Sequence, residues 1–247
     1  MRKALVLSYG AFAYFLTMAS FAFCGFWIVN LSFMPVTIDG GEPLPVMQAF
    51  LINSLIMVVF GAHHSFFART TLKKIMRRFI PKNLERITYC LISAVLLFGL
   101  CFLWEPMPAP VWTITAPAGA WLMYGLLIFF TLVHFFSIYK IDHNDFFGLR
   151  QVGLEARGQP YHPLPPVSEQ YYMVWHVILA LSLAVLPFFT PEMSVGHLFL
   201  AVIWFTYTGL GAWLSHRDPG DVRVASETAQ PEPAPIEEPA LAYPGAA

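Results

Sequence analysis

Apolar runs long enough to cross a bilayer recur six times along this chain, near Ala4–Ile28, Met47–Phe67, Ile87–Trp104, Ala118–Tyr139, Tyr172–Phe189 and Val195–Leu214. About 20 helical residues span the hydrocarbon core, so each run predicts one transmembrane helix, the third and fifth at the short end of the range. The first run follows Arg2 and Lys3, as a secretory leader would. It is too long for a leader's apolar core and lacks a small-x-small cleavage pattern, so it reads as a helix. The expected fold is an all-α polytopic membrane bundle of about six helices.

Charge orients that bundle. All 14 Lys and Arg lie before the first run, in 69–86, in 140–171 or after the last run. The three intervening loops hold none. By the positive-inside rule both termini and the two basic loops face the cytoplasm, the N-in/C-in topology of a multi-pass protein in a bacterial inner (cytoplasmic) membrane. Residues 1–218 then form the transmembrane domain, with cytoplasmic loops 69–86 and 141–171. Residues 219–247, rich in Pro, Ala and Glu with few bulky apolar side chains, are expected to be a disordered tail. Segment 69–86 reads as a topology determinant that touches anionic lipids. Segment 105–117, EPMPAPVWTITAP, reads as a proline-rich connector at the outer face, where Trp104, Trp112 and Trp121 suit an aromatic belt.

Composition agrees: only 12% of residues are charged and the mean hydropathy is +0.60, against about 25% charged in a soluble domain. The three cysteines, Cys24, Cys90 and Cys101, sit inside apolar runs and read as small hydrophobes. Candidate chemistry concentrates in Ile141–Pro166, IDHNDFFGLRQVGLEARGQPYHPLPP, a polar island between apolar spans. It carries His143, Asp145, Arg150, Gln151, Glu155, Arg157, Tyr161 and His162, and is too aromatic for a disordered linker. It is expected to cap a site at the cytoplasmic membrane face. Of the eight histidines, only His197 falls at the outer end.

Other chemistries find little support. The one close histidine pair is His63–His64, and adjacent helical residues point about 100° apart, so no metal centre is expected. There is no nucleophile-elbow serine, no glycine-rich phosphate loop and no dinucleotide fingerprint. What remains is a polar pocket where an apolar substrate from the bilayer meets a water-soluble cofactor.

Several segments resemble the methanethiol S-methyltransferase family, of the NnrU-like and isoprenylcysteine carboxyl methyltransferase superfamily. They are VTIDGG (36–41), LINSLIMVVFGAHHSFFAR (51–69), FIPKNLERITY (79–89), DHNDFFGLRQV (142–152), YHPLP (161–165) and PEMSVGHLFLA (191–201), in the family's order and spacing. The resemblance implies S-adenosylmethionine-dependent methylation of a small thiol to dimethyl sulfide. It places His64, His143, Arg150 and Gln151 at the substrate, and His176, His216, Arg217 and Asp218 at the cofactor. The partners it implies are a small hydrophobic thiol or other lipid-soluble substrate and membrane lipids; no nucleic acid is expected.

The cofactor half departs from the family's pattern. Members show R-H-P-x-Y-x-G at the cytoplasmic end of the fifth span; here Trp175 to Leu181 reads WHVILAL and keeps only His176. Members also carry two glutamates before Arg-Asp after the sixth span; here Ser215 and His216 precede Arg217 and Asp218. A second reading therefore stands beside the first: a catalytically silent homologue that binds a membrane ligand or serves as accessory subunit to a membrane-protein partner.

Overall fold

The computed structural model describes residues 1–67, 77–162 and 169–217. The tail 219–247, residues 69–76 of the basic segment 69–86 and the YHPLP block beyond His162 lie outside the described residues. Among the described residues seven α-helices form, six where the apolar runs predict them and one in addition. They are α1 (Arg2–Ile28), α2 (Val46–Phe67), α3 (Glu85–Leu103), α4 (Pro117–Phe146), α5 (Leu149–Ala156), α6 (Glu169–Val185) and α7 (Val195–Arg217). Six are membrane helices; α5 is the addition, lying inside the polar island.

Boundaries follow local chemistry. Pro117 opens α4 at a position whose N–H would be unpaired in any helix. Glu85 in the first turn of α3 complements the helix dipole. Pro187 ends α6 in a short 3-10 turn, Leu186–Phe188. Four helices are long and apolar enough to cross a membrane, and shorter apolar stretches, Met173–Phe188 and Val195–Gly211, supply the other two.

The helices turn apolar side chains outward. Trp121, Leu122, Ile128, Phe129, Leu132 and Phe136 of α4 are all exposed; in water each would forfeit about 1.5–3 kcal/mol of burial, whereas in lipid it loses none. Polar side chains inside the spans bond back into their own helices. Thr17, Ser54, Thr131, Ser137 and Thr208 each donate to the carbonyl four residues earlier, at 2.7–2.8 Å. Lipid offers no alternative partner.

Helix α3 packs against α1 and α2, and α6 packs against α4 and α7. One core cluster, Trp27, Met57, Phe60, Leu97, Leu100, Trp104 and Leu200, joins α1, α2, α3 and α7. Another, Cys90, Ile138 and Phe147, joins α3 to the far end of α4, with Tyr14 and Leu179 packed against it.

The bundle thus has a basic end, with the N-terminus, the start of α3 and the polar island, and an opposite end made of the α1–α2, α3–α4 and α6–α7 connections. The proline-rich segment 105–117 holds a short strand, β1 (Pro110–Thr113), paired antiparallel with β2 (Glu192–Ser194). Val111, Trp112 and Thr113 favour extended backbone, and neighbouring carbonyls of Met107 and Ala109 accept the Gly196 and Val195 N–H groups at 3.0 and 2.9 Å. The connector is therefore more ordered than its prolines suggest.

Candidate functional site

The polar island is mostly helical. Helix α4 continues past the apolar run to Phe146, interrupted at Asp142, whose φ of 133° and ψ of 97° lie outside every region favoured by L-residues. Such a backbone costs roughly 1–3 kcal/mol and persists only where its surroundings fix it. The fixing groups are visible. Asp142 Oδ1 accepts the Asp145 N–H at 3.0 Å, capping the turn that restarts there. Asp142 Oδ2 accepts a charged hydrogen bond from the Arg150 guanidinium.

Gly148 links that turn to α5. Its φ is +85°, and a Cβ there would stand 2.8 Å from the Ile87 backbone nitrogen, so glycine alone fits both the conformation and the approach to α3. At Gly10 of α1 a Cβ would meet Val152 Cγ1 at 2.5 Å. Helix α5 is thus seated in contact with α1, and Val152 is buried in that contact. At that contact the expected cap is packed onto the bundle, with no cavity between Gly10 and Val152.

Around these contacts a hydrogen-bonded network closes. Gln151 Nε2 donates to the Asp145 backbone carbonyl and to its Oδ1, at 3.3 and 3.2 Å. The Tyr161 hydroxyl donates to Asp145 Oδ2 at 2.8 Å. Burial, reinforced by the Asp145 carboxylate, raises the Tyr161 pKa above the ordinary tyrosine value. Asn83 ties the network to the start of α3: its amide donates to the Gln159 carbonyl at 2.9 Å and its Oδ1 accepts the Tyr161 N–H at 3.3 Å. One group is left over. Gln151 is 5% exposed and its Oε1 has no donor.

His143 lies beside this network, with Nε2 hydrogen-bonded to the Tyr14 hydroxyl of α1 at 2.9 Å. Phe147 packs edge-on against both rings. His64 reaches the same end by another route. It stacks on Phe60 and leans on Tyr89, Tyr89 carries the Arg86 guanidinium at 5.6 Å, and Arg86 Nε donates to the Phe146 carbonyl at 2.6 Å. His143, Arg150 and Gln151 are therefore gathered on one turn-and-helix, and His64 connects to them through Tyr89 and Arg86.

On the cofactor side, His176 lies half-buried on α6, close to one turn nearer the basic end than Leu179, which packs against the Phe147 cluster. The side chains of His216 and Arg217, at the end of α7, and the whole of Asp218 lie outside the described residues. Trp175 sets its ring edge-on to Phe136, and the Lys140 ammonium stands over both rings at 6.0 and 5.2 Å. Sequence reasoning missed Tyr14, Arg86, Asn83 and Asp142 as partners. Only Asp142 carried a signal, being the first residue of the most family-like block.

Six membrane helices with a polar, ion-paired turn closing one end define a polytopic helical membrane protein with a candidate site at its basic end. Comparison narrows this. The chain is 35% identical over 204 residues to a Mycobacterium tuberculosis methanethiol S-methyltransferase, covering 82% of each chain. It is 35% identical over 219 residues to methanethiol S-methyltransferase 2 of Bradyrhizobium diazoefficiens, covering 86% of this chain and 80% of the relative. Zebrafish (Danio rerio) nurim is 29% identical over 184 residues, 70% of this chain. The chain belongs to the methanethiol S-methyltransferase family. No family model matches it, and no solved structure matches it.

Proposed function

We propose that the protein is a membrane methyltransferase that transfers a methyl group from S-adenosylmethionine to methanethiol or a similarly small thiol, at the cytoplasmic face. The observation that carries the reading is the gathering of Arg150 and Gln151 in one hydrogen-bonded network, with His143 beside it, on the DHNDFFGLRQV block. Two features fit a cofactor that bears an amino acid, hydroxyl groups and a positive charge. Gln151 Oε1 is a buried acceptor lacking a donor, and the Arg150 side chain keeps 30% of its surface exposed beside two carboxylates. A ligand hydroxyl or ammonium would satisfy the first and a ligand carboxylate the second.

Bound S-adenosylmethionine supplies a methyl group activated by a sulfonium, so no nucleophile from the chain is required. The residues have three tasks. Arg150 and Gln151, with His176 of α6 and, by the resemblance, His216, Arg217 and Asp218, would hold the cofactor. His143, oriented by Tyr14, accepts the thiol proton so that the substrate sulfur reacts as thiolate. Phe147 and Tyr14 keep that sulfur in apolar surroundings, and His64 stands beyond Arg86 as a second polar group near the thiol's entry from the bilayer.

The test is direct. Purified full-length protein in detergent is titrated with S-adenosylmethionine by calorimetry and assayed for dimethyl sulfide from methanethiol. Saturable binding and product support the reading; neither binding nor methylation of any small thiol sinks it. The departures at 175–181 and 214–218 favour one alternative, a silent accessory subunit. It would be recognised by a stoichiometric membrane partner co-purifying with a chain that binds no cofactor.

A further inference from the structure

At the opposite end, Asn30, Thr37, Asp39, Trp112, Glu192 and Ser194 are among the residues lining a cavity of about 320 Å³. It draws on three connections at once: the turn after α1, β1 and β2. Its central carboxylate is held in place. Asn30, itself at φ 54°, donates through Nδ2 to Asp39 Oδ2 at 2.7 Å and accepts the Asp39 N–H on Oδ1 at 3.2 Å.

That clamp occupies one carboxylate oxygen and leaves the other bare. Among the described residues Asp39 Oδ1, sealed from solvent, has no hydrogen-bond partner, and neither has Trp112 Nε1. His197 is wholly buried and lies within electrostatic reach of Asp39. No Lys or Arg occurs between residues 4 and 68, between 87 and 139 or between 158 and 216, so none lies in the three connections that line the cavity. A buried carboxylate oxygen with neither donor nor cation is costly, by an amount typical of the strong destabilising changes in proteins.

We propose that this cavity binds a small ammonium compound that also carries an oxygen acceptor, an amino alcohol, either free or as the headgroup of a lipid. The ammonium N–H groups complete Asp39 Oδ1 and supply the missing positive charge; the oxygen accepts from Trp112 Nε1. A metal ion suits the place less well, since among the described residues no three His, Cys, Asp or Glu side chains gather to hold one. The site is independent of the methyl-transfer reading and lies at the other end of the helices.

Calorimetry on the full-length protein in phosphatidylcholine nanodiscs tests it, with ethanolamine hydrochloride as the probe and tetramethylammonium, equally charged but lacking N–H groups, as the control. Ethanolamine is expected to bind once per chain and tetramethylammonium not at all. Asp39→Asn should weaken ethanolamine by about tenfold or more, and Asn30→Ala, which frees the carboxylate, several-fold. If Asp39→Asn does not yield folded protein, Asn30→Ala and Trp112→Phe carry the test. Loss of the ethanolamine heat when phosphatidylethanolamine is added to the nanodisc identifies a lipid headgroup as the source; persistence identifies a soluble amine. No ethanolamine heat, equal affinity in the variants, or equal binding of tetramethylammonium overturns the proposal.

Discussion

At the basic end, Asp142 and Asp145 share Arg150, Gln151 joins Arg150 at Asp145 Oδ1, and the Tyr161 hydroxyl takes Asp145 Oδ2. At the opposite end, Asp39 has one oxygen clamped by Asn30 and one without a partner, and no cation accompanies it. The first region answers its own charges; the second leaves an acid to be answered from outside. Both sit at a membrane edge and both use a backbone at positive φ to aim a carboxylate. What separates them is supply: no Lys or Arg occurs in the connections that surround Asp39, whereas Arg150 stands between the carboxylates of the basic end.

The sharpest way to break the contrast is to unseat the self-satisfied end. Gly148→Ala adds a Cβ 2.8 Å from the Ile87 nitrogen at a φ of +85°; the strain and clash are expected to cost about 3 kcal/mol or more. A thermal melt in detergent should then show loss of the cooperative transition or a large drop in its midpoint. Next in size, His143→Ala should lower dimethyl sulfide production about 100-fold while leaving the melt within a few degrees. Equal loss of activity and stability would make His143 a packing residue.

Replacing Arg150 with Met leaves Asp142 and Asp145 facing each other without a cation. Because both carboxylates are about a third exposed (32% and 30%), the expected loss is a modest 1–2 kcal/mol or so, read from the same melt. The Tyr161 hydroxyl offers a pH test. Its pKa is raised in the folded protein, so folding holds that proton more tightly and the stabilisation is complete below the unfolded value, near 10. It is lost as pH climbs above that value. The wild-type melting point should therefore fall more steeply with pH in the alkaline range than that of Tyr161→Phe; parallel curves would contradict the burial of this hydroxyl. Smallest of all, Arg2→Ala removes an exposed pair with Glu155 and should change stability by less than about 0.5 kcal/mol.

Much of the fold was legible because lipid imposes a simple code. Apolar run lengths set α1, α2, α3, α6, α7 and the start of α4 to within a few residues, since a single apolar span satisfies its own backbone in a bilayer only as a helix; the end of α4 runs seven residues past Tyr139, to Phe146. The site was legible in part. His143, Arg150 and Gln151 stand in one short block, so their proximity could be read along the chain. Their partners could not: Tyr14 reaches His143 across 129 residues and Asn83 reaches Tyr161 across 78, and such pairings depend on how helices pack. The break at Asp142 was hidden because no Gly or Pro marks it in the sequence. Helix α5 was hidden because eight residues are too few for a period to stand out from a polar loop.

The contact at Gly10 and Val152 has a bearing on how the molecule comes into being. Helix α1 is the first span synthesised, yet it forms part of the bed on which α5, some 140 residues later, comes to rest, and its Tyr14 and Arg2 hold His143 and Glu155 there. The polar turn therefore cannot mature while the later spans are still emerging. Until α4 and α5 follow, the hollow that Gly10 leaves on the first helix has no Val152 to fill it.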